Sequence, residues 1–179
     1  MGRARVVPPP GGFLQPTREG EAALVEAVSE AVGGAGRIAD LFCGSGTFTL
    51  ALAETAEVHA VEGEAAALAA LDAAWRATPG LGRVRCERRD LVHRPLLPAE
   101  FKDIEAVVVD PPRAGARAQA GQLARARVAR LAMVSCNPAT FARDARILID
   151  GGYAMEQVQP IDQFLWSAHV ETAAVFRRQ

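Results

Sequence analysis

The sequence has few of the residues that build disulfide or metal frameworks. Its three cysteines, Cys43, Cys86 and Cys136, are widely spaced, odd in number and form no Cys-x-x-Cys pair. This pattern argues against a disulfide framework and against a zinc or iron–sulfur site in the chain. We therefore predict free thiols, no bound metal and a reducing, cytoplasmic location.

The sequence also lacks long apolar runs. None reaches the length that crosses a bilayer, and residues 1–8 lack the apolar core of a signal peptide. Half of the 179 residues are hydrophobic and the formal net charge is −1, as in an ordinary globular protein. We predict no membrane partner and a single domain over residues 1–179, which is long enough for a continuous core.

Lysine is nearly absent, because Lys102 is the only one. Positive charge is instead concentrated in seven arginines between residues 111 and 148, where Asp144 is the single acid. Arginine forks match phosphate geometry, so this segment could face a polyanion, although solvated helix surface is the simpler interpretation. The seven are Arg113, Arg117, Arg125, Arg127, Arg130, Arg143 and Arg146.

Short apolar runs alternate with helical patterns along the chain. This alternation is typical of β-α-β units and predicts an α/β fold, a mostly parallel seven-stranded sheet with helices on both faces and an antiparallel last strand. The predicted helices cover 15–32, 47–53, 64–76, 118–128 and 138–149. The predicted strands cover 38–42, 58–62, 84–86, 104–110, 131–135, 153–161 and 170–176.

Polar residues follow the first five predicted strands. Ligands of open parallel sheets bind beyond the carboxyl ends of the strands, so we expect these residues along one edge. They are Asp40 with the glycine turn 44–46, then Glu62, Asp90, Asp110 and Cys136.

The turn after the first strand suggests a nucleotide-like cofactor. Gly44 and Gly46 permit a tight turn, and Glu62, 22 residues after Asp40, could accept both hydroxyls of a ribose. A dinucleotide is disfavoured because Asp40 would receive a pyrophosphate poorly and Thr49 replaces the third glycine. An acid at this place favours a cation such as S-adenosylmethionine; otherwise Asp40 is a cap and Glu62 a solvated strand end.

Residues next to Asp40 and Asp110 could likewise serve either the ligand or the fold. Phe42 could pack on the ligand or fill the core, and Thr47 could contact the ligand or act as a helix N-cap. Two prolines make the loop Asp110-Pro-Pro-Arg113 rigid, which fixes the Asp110 carboxylate over the sheet edge. Similar loops with an aromatic residue in the place of Arg113 occur in enzymes that methylate base amino groups; the arginine weakens that interpretation.

Cys136 lies just before a predicted helix start, with Asn137 as its cap and Pro138 in its first turn. The helix dipole would lower the pKa of the thiol and make it a nucleophile. The alternative is a small buried hydrophobe.

Glu171 opens the last strand among apolar neighbours, where desolvation would raise its pKa and make it a better base. The alternative is an exposed strand acid. In the loop before it, Phe164 and Trp166 could stack an unpaired base, or Trp166 could cover the core.

Taken together, several motifs resemble the catalytic domain of the RNA uracil-5 methyltransferases, which make 5-methyluridine in tRNA and rRNA. They are the segments 12–16, 40–48, 61–62, 110–115, 135–144 and 169–171, which occur in the family's order. The combination of Ser-Cys-Asn-Pro with His-Val-Glu is specific to that family.

The resemblance implies the Rossmann-like class I S-adenosylmethionine-dependent methyltransferase fold and a reaction through a covalent cysteine adduct. Cys136 matches the nucleophile and Glu171 the general base. The positions that match the cofactor-binding residues are Gln15, Phe42, Gly44, Thr47, Glu62 and Asp110, with Asp90 near the adenine by analogy across the class.

The chain differs from most members of the family in the regions outside the catalytic domain. The N-terminal RNA-binding barrel and iron–sulfur region of most members are absent, so we expect an RNA-binding domain or partner outside this chain. The family's aromatic-Pro pair reads Phe164-Leu165. A remnant that binds cofactor or RNA without catalysis is the main alternative, and an amino-group methyltransferase is a weaker one.

Overall fold

A computed structural model describes residues 1–164, 166–167 and 169–179. Five α-helices and seven β-strands follow one another in the alternating order that the sequence predicts. The helices are α1 (Arg18–Val32), α2 (Thr47–Leu52), α3 (Ala65–Arg76), α4 (Arg117–Leu123) and α5 (Pro138–Asp150). The strands are β1 (Arg37–Leu41), β2 (Glu57–Glu62), β3 (Val84–Arg88), β4 (Ala106–Val109), β5 (Arg130–Ser135), β6 (Tyr153–Ile161) and β7 (Glu171–Arg178).

All seven strands form one sheet in the order β3-β2-β1-β4-β5-β7-β6. Strands β1 to β5 pair in parallel, and β7 is inserted antiparallel between β5 and β6. The predicted α/β fold with an antiparallel last strand is therefore confirmed.

Two apolar clusters cover the two faces of this sheet. One joins α1, α2 and α3 to side chains such as Ile38 and Val108, and the other joins α4 and α5 to their strand neighbours Ala39 and Val107. Because successive strand residues point to opposite faces, central strands buried on both sides are continuously apolar, as β4 is.

Helix α4 is shorter than the sequence predicts, since it ends at Leu123 rather than at Val128. Val128 is fully buried, and its carbonyl accepts a hydrogen bond from the Tyr153 hydroxyl at 2.8 Å. The residues between Leu123 and Val128 form turns, with the amides of Arg125 and Ala126 bonded to the Gln122 carbonyl. A short 3₁₀ helix, Pro98–Phe101, was not predicted.

The topology brings the polar strand ends to one edge of the sheet. The carboxyl ends of β1, β2, β4 and β5 meet there, and β7 begins there because it runs in the opposite direction. Among the described residues, no helix is both long and apolar enough to cross a membrane.

Candidate active site

The turn after β1 has an unusual backbone that leaves open space above it. Phe42, Gly44 and Gly46 all have positive φ, at 63°, 53° and 97°. A Cβ added to Gly44 would meet no atom within 4 Å, whereas one added to Gly46 would lie 2.4 Å from Leu71. Gly44 therefore faces space that a ligand could fill, and Gly46 permits close helix packing. Gly46 is the N-cap of α2 and Thr47 its first residue, so Thr47 is not the cap.

Asp40 is completely buried beneath this turn. Its Oδ2 accepts a hydrogen bond from the Thr49 hydroxyl at 2.5 Å, and its Oδ1 has no partner among the described residues. Burial raises the pKa of Asp40 to about 7, an effect that the Thr49 hydrogen bond opposes. Thr49, which replaces the third glycine of a dinucleotide fingerprint, therefore serves to hold the buried acid.

Glu62 organises the same turn from the end of β2. Its two carboxylate oxygens accept hydrogen bonds from the amide of Gly44 at 2.9 Å and from the amide of Glu64 at 2.8 Å. The carboxylate is thereby fixed beside the open space above Gly44. It is partly exposed and its oxygens have further lone pairs for a ligand hydroxyl.

Asp110 completes a cluster of acids at the centre of the edge. Burial raises its pKa to about 8, with contributions from the carboxylates of Glu171, Asp40 and Glu62. Several carboxylates in one poorly hydrated place repel one another, and a cation would relieve this repulsion. This environment fits a ligand that carries positive charge.

Asp90 lies on the surface beside the same site. Its carboxylate accepts hydrogen bonds from the amides of Val92 and His93 and contacts the His93 ring. The next residue, Leu91, lines an open cleft of about 570 Å³ together with Val92 and Phe42. The cleft has an apolar wall of the kind that receives a flat ring.

Gln15 is held by a residue that the sequence analysis missed. Gln163 follows β6, is 3% exposed, and donates from Nε2 to Oε1 of Gln15 at 2.6 Å. It also packs against Gly20, where any Cβ would overlap its side chain. A polar residue beyond the end of β6 was the available signal, because it follows the rule applied to the other strands.

Cys136 directly follows β5, and Glu171 is the first residue of the neighbouring strand β7. Ser135 pairs with Thr172 in antiparallel register, so the end of β5 lies beside the start of β7, and the Glu171 carboxylate is close enough to act on the Cys136 thiol. Glu171 is 3% exposed and Cys136 is partly exposed. The two side chains therefore share one part of the edge, next to Asp110.

Burial raises the pKa values of both groups. Burial raises the pKa of Glu171, as the apolar sequence around it predicts. Burial and the Glu171 carboxylate also raise the pKa of Cys136, although Arg113 acts in the opposite direction. The prediction of a lowered thiol pKa is therefore wrong, because burial of Cys136 and the nearby Glu171 carboxylate outweigh the effect of Arg113.

The loop before Glu171 presents aromatic groups to solvent. Trp166 is fully exposed and has a φ of 64°, so it does not cover the core. The ring of Phe164 contacts the His169 ring edge-on, and the Arg113 guanidinium lies 3.1 Å from Nδ1 of His169. Leu165 and Ala168 lie outside the described residues.

Six of the seven arginines in the arginine-rich segment divide into two groups, and the seventh, Arg127, is exposed. Arg143 bonds to Asp144 and to the Ala114 carbonyl, Arg146 bonds to Asp150, and Arg130 bonds to carbonyls at the end of α1. Arg130 and Arg143 thereby connect distant parts of the fold, while Arg146 makes an exposed pair within α5. Arg113, Arg117 and Arg125 are exposed on the side of the site, the last two beside the cleft. Within the described residues, no three metal-ligating side chains are grouped to hold an ion.

The buried acid gives a testable pH dependence of stability. Folding raises the pKa of Asp40 from 3.8 to about 7, so the folded chain binds the Asp40 proton more tightly than the unfolded chain does. The stabilisation from this proton is therefore complete below pH 3.8 and is lost as the pH rises through about 7. Asp40→Asn should therefore gain stability relative to the parent chain, by up to a few kcal/mol, between about pH 4 and pH 7. Urea unfolding over this range measures the difference, with exposed Asp103→Asn as the control. A difference independent of pH would contradict the assignment.

The sequence of the chain matches the model of a known protein family. The model of the family described as tRNA (Uracil-5-)-methyltransferase matches residues 96–179. The matched part contains Asp110, Cys136 and Glu171. The match covers a little less than half of the 179 residues. The resemblance predicted from the sequence motifs is confirmed.

Relatives match nearly the whole chain but are much longer. An uncharacterized RNA methyltransferase of Agrobacterium fabrum is 55% identical over 99% of this chain, which spans 43% of the relative. The 23S rRNA (uracil(1939)-C(5))-methyltransferase RlmD of Pseudomonas fluorescens is 42% identical over 93% of the chain and 38% of its own length. The chain thus spans about two fifths of the length of these relatives.

Solved structures share the fold. The tRNA (uracil-54, C5)-methyltransferase of Pyrococcus abyssi, in complex with S-adenosyl-L-homocysteine, has a TM-score of 0.81 and 30% identity, over 93% of this chain and 40% of that one. Magnesium protoporphyrin IX methyltransferase of Synechocystis has a TM-score of 0.66 at 15% identity. The second likeness shows the fold alone. The predicted class I methyltransferase fold is confirmed.

Proposed function

We propose that this chain transfers a methyl group from S-adenosylmethionine to C5 of a uridine in tRNA or rRNA, through a covalent adduct of Cys136. The observation that carries the proposal is the position of Cys136, directly after β5, beside Glu171 at the start of β7, with the carboxylates of Asp110, Asp40 and Glu62 nearby. The family match and the names of the relatives supply the substrate class.

The residues at the edge fit S-adenosylmethionine. The buried Asp40 oxygen without a partner, and the mutual repulsion around Asp110, suit its ammonium and sulfonium charges. Glu62 would bind the ribose, and the space above Gly44 would admit it. When bound, the cofactor supplies an electrophilic methyl group.

Further contacts complete the proposed cofactor site. The cleft beside Phe42 and Leu91 would take the adenine, with Asp90 at its entrance. Gln15, fixed by Gln163, and Thr47, in the first turn of α2, would contact the cofactor from the sides.

The two catalytic side chains have separate tasks. C5 of uracil is too weak a nucleophile to attack a methyl group directly. The Cys136 thiolate therefore adds first to C6, and the electron pair of the C5–C6 double bond becomes available at C5. C5 would then form the new bond to the methyl carbon while the bond between that carbon and the sulfonium sulfur breaks, with S-adenosylhomocysteine as the leaving group. The Glu171 carboxylate removes the C5 proton, the C5–C6 double bond reforms, and the Cys136 thiolate leaves.

RNA would reach this edge as a flipped or single-stranded base, because stacking hides C5 and C6 within a helix. Arg113, Arg117 and Arg125 would contact its phosphates. We propose that residues 1–179 form one catalytic domain, and that an RNA-binding domain or partner outside them assists recruitment. A reducing cytoplasm suits the free thiol.

The test combines binding and transfer. Calorimetry with S-adenosylhomocysteine measures cofactor binding, and tritiated methyl transfer to unmodified tRNA and rRNA transcripts, followed by nucleoside analysis, identifies the product. We expect 5-methyluridine. Binding without transfer to any RNA would favour the non-catalytic remnant, and a methylated amino group would favour the amino-group methyltransferase.

The exposed tryptophan gives a prediction about RNA. Trp166→Ala should weaken binding of a single-stranded uridine-containing oligonucleotide by about 1–3 kcal/mol, because one stacking contact is lost. S-adenosylhomocysteine binding should not change. Fluorescence anisotropy measures the RNA affinity, and Met155→Ala, an exposed apolar change on β6, is the control. Equal RNA affinities of Trp166→Ala and the parent chain would exclude stacking on Trp166.

A further inference from the structure

The start of α5, which follows Cys136, is bonded directly to the loop after β4. Nδ2 of Asn137 donates to the backbone carbonyl of Arg113 at 3.1 Å. The Thr140 hydroxyl lies 3.2 Å from the same carbonyl and 3.2 Å from the carbonyl of Asn137. Two side chains of one helical turn thus converge on the Arg113 backbone.

The next turn of α5 extends this connection. Nη2 of Arg143 donates to the Ala114 carbonyl at 3.0 Å, and the Ala116 amide donates to Oδ2 of buried Asp144 at 2.6 Å. Gly115 fits so closely between them that a Cβ there would lie 2.4 Å from the Arg143 guanidinium. The loop that begins with Asp110 therefore has little freedom to move relative to α5.

This connection has an electrostatic consequence at Cys136. Arg113 lowers the pKa of the Cys136 thiol, while burial and the nearby acids raise it. Arg113 is the cation that lowers this pKa among the described residues, and the strength of its effect depends on its distance from the sulfur. Its guanidinium lies 3.1 Å from Nδ1 of His169, two residues before Glu171. Movement of the Arg113 backbone would change the fraction of thiolate.

We propose that Asn137 and Thr140 are positioning residues that hold Arg113 beside the Cys136 thiol. Their hydrogen bonds fix the loop after β4 against the start of α5, which follows Cys136. The Arg113 guanidinium therefore keeps a position in which it favours the thiolate form of Cys136. The inference deepens the proposed function, in which Cys136 is the nucleophile. Its test measures thiol chemistry without methyl transfer, so the two can fail independently.

Two variants separate this role from the helix cap. Oδ1 of Asn137 caps α5 by accepting from the Ala139 amide at 3.0 Å. Asn137→Ser keeps a capping oxygen but is too short to reach the Arg113 carbonyl. Thr140→Val removes the hydroxyl and keeps the branched shape. Arg146→Gln is the matched control, because Arg146 is on the same helix and bonds to Asp150 instead of the loop.

The measurement is the pH dependence of iodoacetamide alkylation at Cys136, followed by mass spectrometry of its peptide. We expect the Asn137→Ser/Thr140→Val chain to titrate at higher pH and to react roughly threefold more slowly near neutral pH, since less thiolate is present. Arg113→Gln should give a similar shift. Thr140→Val alone, a conservative change, should shift the profile in the same direction by less.

The chain that combines the positioning variants with Arg113→Gln gives the decisive test of the proposal. Because the positioning residues act through Arg113, adding Asn137→Ser/Thr140→Val to Arg113→Gln should produce no further shift. Arg146→Gln should leave the profile unchanged. A shift that adds to that of Arg113→Gln, an unshifted profile in the positioning variants, or an unshifted profile in Arg113→Gln itself would each overturn the proposal.

Discussion

Glu171→Gln should stop turnover and accumulate a covalent complex between Cys136 and methylated RNA. Without a carboxylate to remove the C5 proton, the thiolate cannot be expelled after methyl transfer. We expect turnover to fall by about 10²- to 10⁴-fold, the usual contribution of a positioned base. Denaturing gel electrophoresis with labelled RNA and S-adenosylmethionine measures the trapped complex.

The same variant should make the thiol more reactive. The Glu171 carboxylate helps to raise the pKa of Cys136, so its removal increases the thiolate fraction at a given pH. Alkylation of Cys136 near neutral pH should therefore be faster in Glu171→Gln than in the parent chain. The exposed acid of β6, in Glu156→Gln, is a control in which neither turnover nor alkylation should change. Full turnover in Glu171→Gln would remove Glu171 from the mechanism.

Cys136→Ala should abolish methyl transfer, by at least roughly 10³-fold, because no other described group at the edge is placed to activate C6. S-adenosylhomocysteine affinity should stay within about twofold, as for a change outside the cofactor contacts. Tritium transfer to RNA and calorimetry measure the two quantities on the same preparation.

The other two cysteines are natural controls for this prediction. Cys43 is buried under the turn after β1, and Cys86 is partly exposed on β3, away from Glu171. Burial raises the pKa of both thiols. Cys86→Ala should retain methyl transfer and should form the covalent adduct between Cys136 and RNA as the parent chain does. Transfer at a comparable rate by Cys136→Ala would contradict covalent catalysis.

The sheet and its active edge could be predicted because they depend on local patterns. Apolar runs specify strands wherever they lie, and the carboxyl ends of parallel strands must meet. Asp40, Glu62 and Asp110 therefore came together as expected. The resemblance of the motifs around Cys136 and Glu171 supplied their roles, which remain predictions for this chain.

Features that depend on distant contacts could not be predicted. The sign of the pKa shift at Cys136 results from burial and from Glu171, whose position follows from the pairing of β5 with β7. Gln163 reaches Gln15 from the far end of the chain. The Tyr153 hydroxyl bonds to the Val128 carbonyl from 25 residues away, a contact that no local pattern encodes.

The arginines illustrate the same limit. Their density suggested either a polyanion site or solvated helices, and the structure divides them by their partners. Arg143 and Arg130 bond to backbone carbonyls far along the chain, while Arg113 stays at the site. Charge counts cannot separate these uses, because they record no partners.

Mass spectrometry of the chain with 5-fluorouridine RNA and S-adenosylmethionine tests the central claim most directly. Fluorine at C5 cannot leave as a proton, so methyl transfer should leave the RNA bonded to the protein. We predict one RNA adduct, mapped to the Cys136 peptide and absent from Cys136→Ala. If the chain binds both ligands and methylates ordinary RNA but forms no such adduct, or forms it at another residue, the proposed mechanism is wrong.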